Sequence, residues 1–91
     1  MIRINCFMKA KDGRREEALE AAKALTAVSL TQDGCVGYDV FESATRKGVM
    51  LICETWRDQP ALDAHSASEP FKKHVGVMSE ACELKIESFN F

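Results

Sequence analysis

A strand that is apolar on both sides sets the first limit on this chain. Residues Val49 to Trp56, VMLICETW, place Met50, Ile52, Glu54 and Trp56 on one face and Val49, Leu51 and Cys53 on the other when read with a period of two. Such a strand belongs in the middle of a sheet with both sides covered. The chain has 91 residues, enough for one domain spanning 1–91 and a single core, so cover for both faces is scarce.

The neighbouring segments supply the rest of that sheet. Residues 2 to 10, IRINCFMKA, alternate Ile2, Ile4, Cys6 and Met8 against Arg3, Asn5, Phe7 and Lys9, which predicts a first strand. Asp12-Gly13 breaks it. From Arg14 to about Leu30 an alanine-rich segment spaces Leu19, Ala22, Leu25 and Val28 as a helix does, with Glu16 and Glu17 in the first turn where the helix dipole favours acids. After Asp33-Gly34, residues Cys35 to Ser43 read as a second strand, with Val36, Tyr38 and Val40 opposed to Cys35 and Phe41. Arg46-Lys47-Gly48 turns the chain into Val49 to Trp56.

Downstream, DQPALDAHSASEPFKKH carries two helix starts in close succession. Asp58 and Ser68 are suited to N-caps, and Pro60 and Pro70 fall in first turns, where a missing N–H costs nothing. A short helix followed by a longer one is expected, the second with Phe71, Val75 and Met78 at i, i+4 and i+7. CELKIESFNF, Cys82 to Phe91, alternates again and forms the last strand.

The order is therefore β-α-β-β-α-β, the ferredoxin-like α+β arrangement of two helices on one face of a four-stranded antiparallel sheet. The other face has no helix left to cover it. A homodimer packed sheet on sheet would bury that face without additional chain, giving a dimeric α/β barrel.

Charge and cysteine content narrow the partners. Twelve basic and 14 acidic residues give a net charge of −2 without runs of like charge, which argues against nucleic acid or an anionic membrane. MIRINCFMK alternates and resembles neither a signal peptide nor a membrane span, so a cytoplasmic location is expected. Cys6, Cys35, Cys53 and Cys82 occur singly, without CxxC or zinc-finger spacing, and read as reduced thiols packed in strands. His65 and His74 lie nine residues apart with no further ligands at suitable spacing, so no metal is expected.

Few polar residues are placed to do chemistry. Asn5 lies on the less apolar face of its strand, although Phe7 on the same face suggests partial burial. Tyr38 is core or pocket wall. Trp56 is core or pocket lining, and its indole N–H needs a partner when buried. Glu54 shares a face with Trp56, so it is either paired with a base such as His65 or aimed at solvent near the sheet edge. His65 follows Leu62 by three residues on the same helical face and points inward, as a satisfied core histidine or as a base at a cavity edge. His74 follows Lys72-Lys73 and borders solvent.

The element order, Gly34-Cys35-Val36-Gly37-Tyr38 at the entry to the second strand, and Glu54-Thr55-Trp56 leading through Ala61-Leu62-Asp63-Ala64-His65 resemble the antibiotic biosynthesis monooxygenase (ABM) domain, whose members include quinol monooxygenases. The resemblance implies a homodimer with a pocket between sheet and helices. It also implies oxygenation of a small aromatic such as a quinol or polyketide phenol by dioxygen, with no metal, flavin or other cofactor. On that pattern His65 is the catalytic base, and Asn5, Tyr38, Glu54, Trp56 and Phe71 contact substrate, with Phe71 closing the apolar wall. One departure is Pro70, near where quinol-oxidising members carry another histidine. A haem-degrading branch suggests an alternative built on Asn5, Trp56 and His74. A barrel of this kind can also bind a small ligand, or act in a stress response, without catalysis.

Overall fold

The computed structural model describes residues 1–91 and turns the alternating segments into one antiparallel sheet of four strands in the order β2-β3-β1-β4. The elements are β1 (Ile2–Ala10), α1 (Arg15–Ser29), β2 (Cys35–Glu42), β3 (Val49–Trp56), α2 (Gln59–Ala67), α3 (Glu69–Ala81) and β4 (Cys82–Asn90). This is the ferredoxin-like order with its second helix broken in two. The twice-apolar strand, β3, is central as its composition requires, paired without interruption to β1 from Ile2↔Trp56 to Lys9↔Val49.

The core forms where the sheet meets the helices. Cys6, Met8, Met50, Ile52 and Trp56 are buried from the sheet, and Ala18, Ala22, Leu25, Met78 and Ala81 from the helices. Full burial of a side chain such as Ile52 or Met78 contributes roughly 1.5–3 kcal/mol. Leu19 and Val28, expected on the inner stripe of α1, are only half-buried. The innermost line runs instead through Ala18, Ala22, Leu25 and Ser29, because close packing of α1 on α3 favours small side chains at the contact.

β2 departs from simple alternation. Cys35 pairs with Trp56 but Gly37 pairs with Thr55, so Val36 is an extra, bulged residue. The bulge puts Cys35 on the inner face with Tyr38 and turns Val36 out to solvent, which corrects the grouping of Val36 with Tyr38 and Val40. Just upstream, Gly34 has φ +82°, and a β-carbon there would lie 2.3 Å from that of Ala61. The α1–β2 turn thus rests against α2 through a glycine that has no side chain to interpose. The backbone N–H of Arg57 donates to the Gly34 carbonyl at 2.8 Å, and Arg57 also pairs with Asp33.

No helix lies over the outer face of the sheet. Phe7, Phe41 and Phe89 project from it, 40%, 53% and 50% exposed. No helix is long and apolar enough to cross a membrane. All four cysteines are unpaired thiols, and burial pushes Cys6 up to about 11.

Both helix starts are capped as the sequence suggests. Asp58 accepts from the Ala61 N–H at 3.0 Å and Ser68 from the Phe71 N–H at 3.4 Å, with Pro60 and Pro70 in the following turns. The Ser68 hydroxyl also donates to the His65 carbonyl at 2.7 Å, joining the end of α2 to the start of α3. Ser68→Ala should therefore lower stability by about 1–2 kcal/mol, whereas Pro70→Ala should be close to neutral. Urea denaturation of the two variants checks this; equal losses would mean that Ser68 is not the cap on which α3 depends.

Candidate functional site

Three elements converge beneath the helices. β3 presents Glu54 and Trp56 inward, and Tyr38 stands opposite Glu54 on β2. α2 ends with His65 turned toward the sheet, and the break at Ser68 lets α3 begin with Phe71 beside it. The imidazole lies 4.4 Å from the Trp56 ring and 5.1 Å from Phe71, with Tyr38 at 5.7 Å, measured between centroids. His65 is 2% exposed and Glu54 7%.

Hydrogen bonds fix these polar groups. The Trp56 indole N–H donates to Glu54 Oε1 at 2.8 Å, giving the buried indole the partner it needs. His65 Nδ1 lies 2.7 Å from Gln32 Oε1 on the α1–β2 turn. The other ring nitrogen, Nε2, is buried without a hydrogen-bond partner and faces Glu54 Oε1 at 3.9 Å.

Burial sets the protonation of the pair. Loss of hydration disfavours the charged form of each, so the Glu54 carboxyl is pushed up to about 7, against the opposing bonds from Trp56 and Tyr38, and His65 is taken down to about 4. The Tyr38 phenol is held far above its ordinary value, chiefly by burial and then by Glu54. At neutral pH the imidazole is uncharged and the carboxyl is near its midpoint, an arrangement able to take up or release one proton.

A cavity of about 180 Å³ opens beside the pair, with 11 of its 14 lining residues hydrophobic. Ile4, Ile52 and Leu84 from the sheet and Leu62, Phe71 and Met78 from the helices form its apolar walls, while Glu54, His65 and Tyr38 bring polar atoms to it. Trp56, fully buried, lies behind His65 and is not part of the lining. Glu54, whose partner the sequence left open, is directed at His65 and not at solvent.

Asn5 is not in this group. Ile4 and Cys6 line the cavity, and alternation sends the residue between them to the opposite face, where Asn5 lies with Arg3, Phe89 and Phe91. His74 is partly exposed on α3 and outside the cavity lining. Gln32 is the site residue that the sequence did not reveal; a glutamine before an Asp-Gly turn carries no signal beyond that of a loop. No group of three or more His, Cys, Asp or Glu side chains converges in the molecule.

Comparison with known proteins agrees with this architecture. The family model for antibiotic biosynthesis monooxygenase matches residues 1–77. A Bacillus subtilis (strain 168) protein named "Putative monooxygenase YcnE" is 31% identical over 87 residues, covering 96% of this chain and 92% of that one. A crystal structure from Bacteroides thetaiotaomicron, described as a conserved protein of unknown function and possible oxidoreductase, is 48% identical with a TM-score of 0.96, covering 99% and 96% of the two chains. Rv0793 from Mycobacterium tuberculosis, at 21% identity and a TM-score of 0.92 over 99% and 93% of the chains, shares the fold.

The two shifted groups act oppositely on stability. Glu54 is raised from 4.5, so its contribution is complete below about pH 4.5 and is lost as pH rises through about 7. His65 is lowered from 6.5, so its contribution is complete above 6.5 and is lost as pH falls through about 4. Between roughly pH 4.5 and 6.5 the two slopes, each at most about 1.4 kcal/mol per pH unit, offset one another. Glu54→Gln should make stability rise with pH across this window relative to the native protein, and His65→Ala should make it fall. Urea unfolding at several pH values checks both signs, and parallel curves for all three proteins would refute the assignment.

Proposed function

The chain belongs to the antibiotic biosynthesis monooxygenase family and its function is of the monooxygenase type; we propose that it oxygenates a single-ring phenol or hydroquinone with dioxygen, using no cofactor, with His65 as the base. The observation that carries this reading is an unpartnered, buried imidazole nitrogen beside a near-neutral carboxyl at one end of an apolar cavity. A dry apolar cavity of about 150 Å³ holds benzene. The volume of about 180 Å³ suits one ring with its hydroxyl groups, and is small for a fused polyketide or a haem. The haem-type alternative also drew on Asn5 and His74, neither of which lines the cavity.

In this reading the phenolic hydroxyl donates to His65 Nε2. Glu54, 3.9 Å away, shares the charge: carboxylate with imidazolium, or carboxyl with imidazole, holds the same single proton. The pair thereby has a proton affinity near neutrality, where a general base works best. The electron-rich phenolate passes an electron to dioxygen, and the resulting radicals join through a C–O bond to give a peroxide. Loss of the ring C–H proton then breaks the O–O bond, and the departing hydroxide takes up a proton. A hydroquinone and one dioxygen yield one hydroxyquinone and one water, so the substrate supplies all the electrons. Apolar walls keep water from the intermediates.

A homodimer belongs to the same proposal. Phe7, Phe41 and Phe89 on the uncovered sheet face are the kind of apolar surface that a second copy would bury about a two-fold axis. Sedimentation at micromolar concentration should give about twice the 10.1 kDa monomer mass. A stable monomer would remove this interface.

Oxygen uptake tests the chemistry. On a monocyclic hydroquinone that the native protein turns over, His65→Ala should lower the rate by about 10²- to 10⁴-fold with little loss of affinity, and His74→Ala should retain most activity. Substrates with fused rings should react poorly. Binding of monocyclic phenols without oxygen uptake across a broad hydroquinone panel would favour a ligand-binding role instead.

A further inference from the structure

Which ring nitrogen of His65 is bare decides whether the site has a base at all, and a residue 33 positions away in sequence decides the nitrogen. We infer that Gln32 is a positioning residue: its side-chain amide fixes the proton of His65 on Nδ1 and so keeps Nε2 free to accept a proton from whatever occupies the cavity. The significance for catalysis rests on the reading of His65 as the base, whereas the tautomer is a property of the folded protein alone.

The direction of the amide follows from the groups around it. Its far end, Nε2, lies 3.4 Å from the Ser68 hydroxyl. That hydroxyl has its single hydrogen committed to the His65 carbonyl at 2.7 Å, so it can only accept from Gln32. The amide nitrogen therefore faces Ser68 and the amide oxygen faces His65. An amide oxygen has no hydrogen to offer, so the 2.7 Å contact requires Nδ1–H as donor. With the ring neutral, Nε2 is left with its lone pair, buried and directed toward Glu54.

Two acceptors thus compete for one ring proton. Gln32 Oε1 is at hydrogen-bond distance, while Glu54 Oε1 is 3.9 Å away and already accepts from Trp56. Geometry keeps the proton on Nδ1, donated toward Gln32 Oε1. Without Gln32 the ring would gain by placing its proton on Nε2 and turning it toward Glu54, which would occupy the atom the proposed chemistry uses. The location of Gln32 suits such a role, since its turn is tied to the β3–α2 junction at Arg57 by the Gly34 carbonyl and Asp33, and lies against Ala61 of α2 at Gly34. Ser68, which orients the amide, also caps α3.

Long-range ¹H–¹⁵N NMR of histidine-labelled protein near pH 7 tests the inference, with His74→Ala used to assign the two rings. His65 should show a protonated Nδ1 and a bare Nε2. In Gln32→Leu the pattern should invert or average between the two forms, and any oxygen uptake should fall by about 10²- to 10⁴-fold, as expected for a base in the wrong tautomer. Gln32→Glu restores an acceptor at Nδ1 and should retain the native pattern while raising the ring pKa, because a carboxylate stabilises the imidazolium. A native His65 protonated on Nε2 overturns the inference, as does a folded Gln32→Leu with the native pattern. Should the leucine variant not fold, an unchanged ring pKa in Gln32→Glu overturns it equally. None of these readings requires turnover, so a protein inactive on every phenol would refute the proposed reaction without touching the tautomer.

Discussion

Placing a carboxyl and an imidazole in an apolar interior is the constraint around which the rest of this fold is arranged. Such groups are costly to bury unless nearly every polar atom finds a partner. Glu54 receives the Trp56 indole, His65 donates to Gln32, and Gln32 leans on Ser68. These partners come from β3, the α1–β2 turn and the α2–α3 break, so satisfying the pair requires three separate parts of the chain to meet. The nitrogen left over, His65 Nε2, stands where the cavity begins. An unpartnered buried nitrogen at the edge of a cavity calls for an explanation, and a molecule that donates to it from the cavity supplies one.

Opposed pKa shifts give the pair its character. Burial raises one group and lowers the other, so in the middle range both are neutral and the interior carries no net charge. That neutrality makes the burial tolerable. Near pH 7, where the carboxyl reaches its midpoint, the pair can in addition take up or release one proton beside the cavity.

Much of this was legible in the sequence because it is local. The period of two fixed β1, β3 and β4 to within a residue, and Asp58 and Ser68 announced both helices through their caps. The inward aim of Trp56 and His65 followed from phase, whereas Glu54 was left between a pairing with His65 and solvent until the fold directed it at the imidazole. What was not legible depends on pairing or on distance along the chain. The bulge at Val36 arises from how β2 registers against β3, and no residue type declares it. Asn5 entered the candidate site as a polar strand residue beside Phe7 and again by family resemblance, although its own phase, opposite to Ile4 and Cys6, pointed the other way. Gln32 meets His65 only because the fold closes a loop of 33 residues, and a one-dimensional pattern holds no trace of that contact.

The contact of Gly34 with Ala61 has a consequence for how this chain can vary. A position outside the cavity lining is thereby locked to glycine, because a β-carbon on Gly34 would come within 2.3 Å of that of Ala61. The turn that bears Gln32 is also held by Gly34 to the backbone at Arg57, so its length is fixed as firmly as its composition. An insertion between α1 and β2, which most surface loops would absorb, would here move the amide off the imidazole. Exchanging this loop for one of another length would therefore alter the chemistry of a ring encoded more than thirty residues downstream.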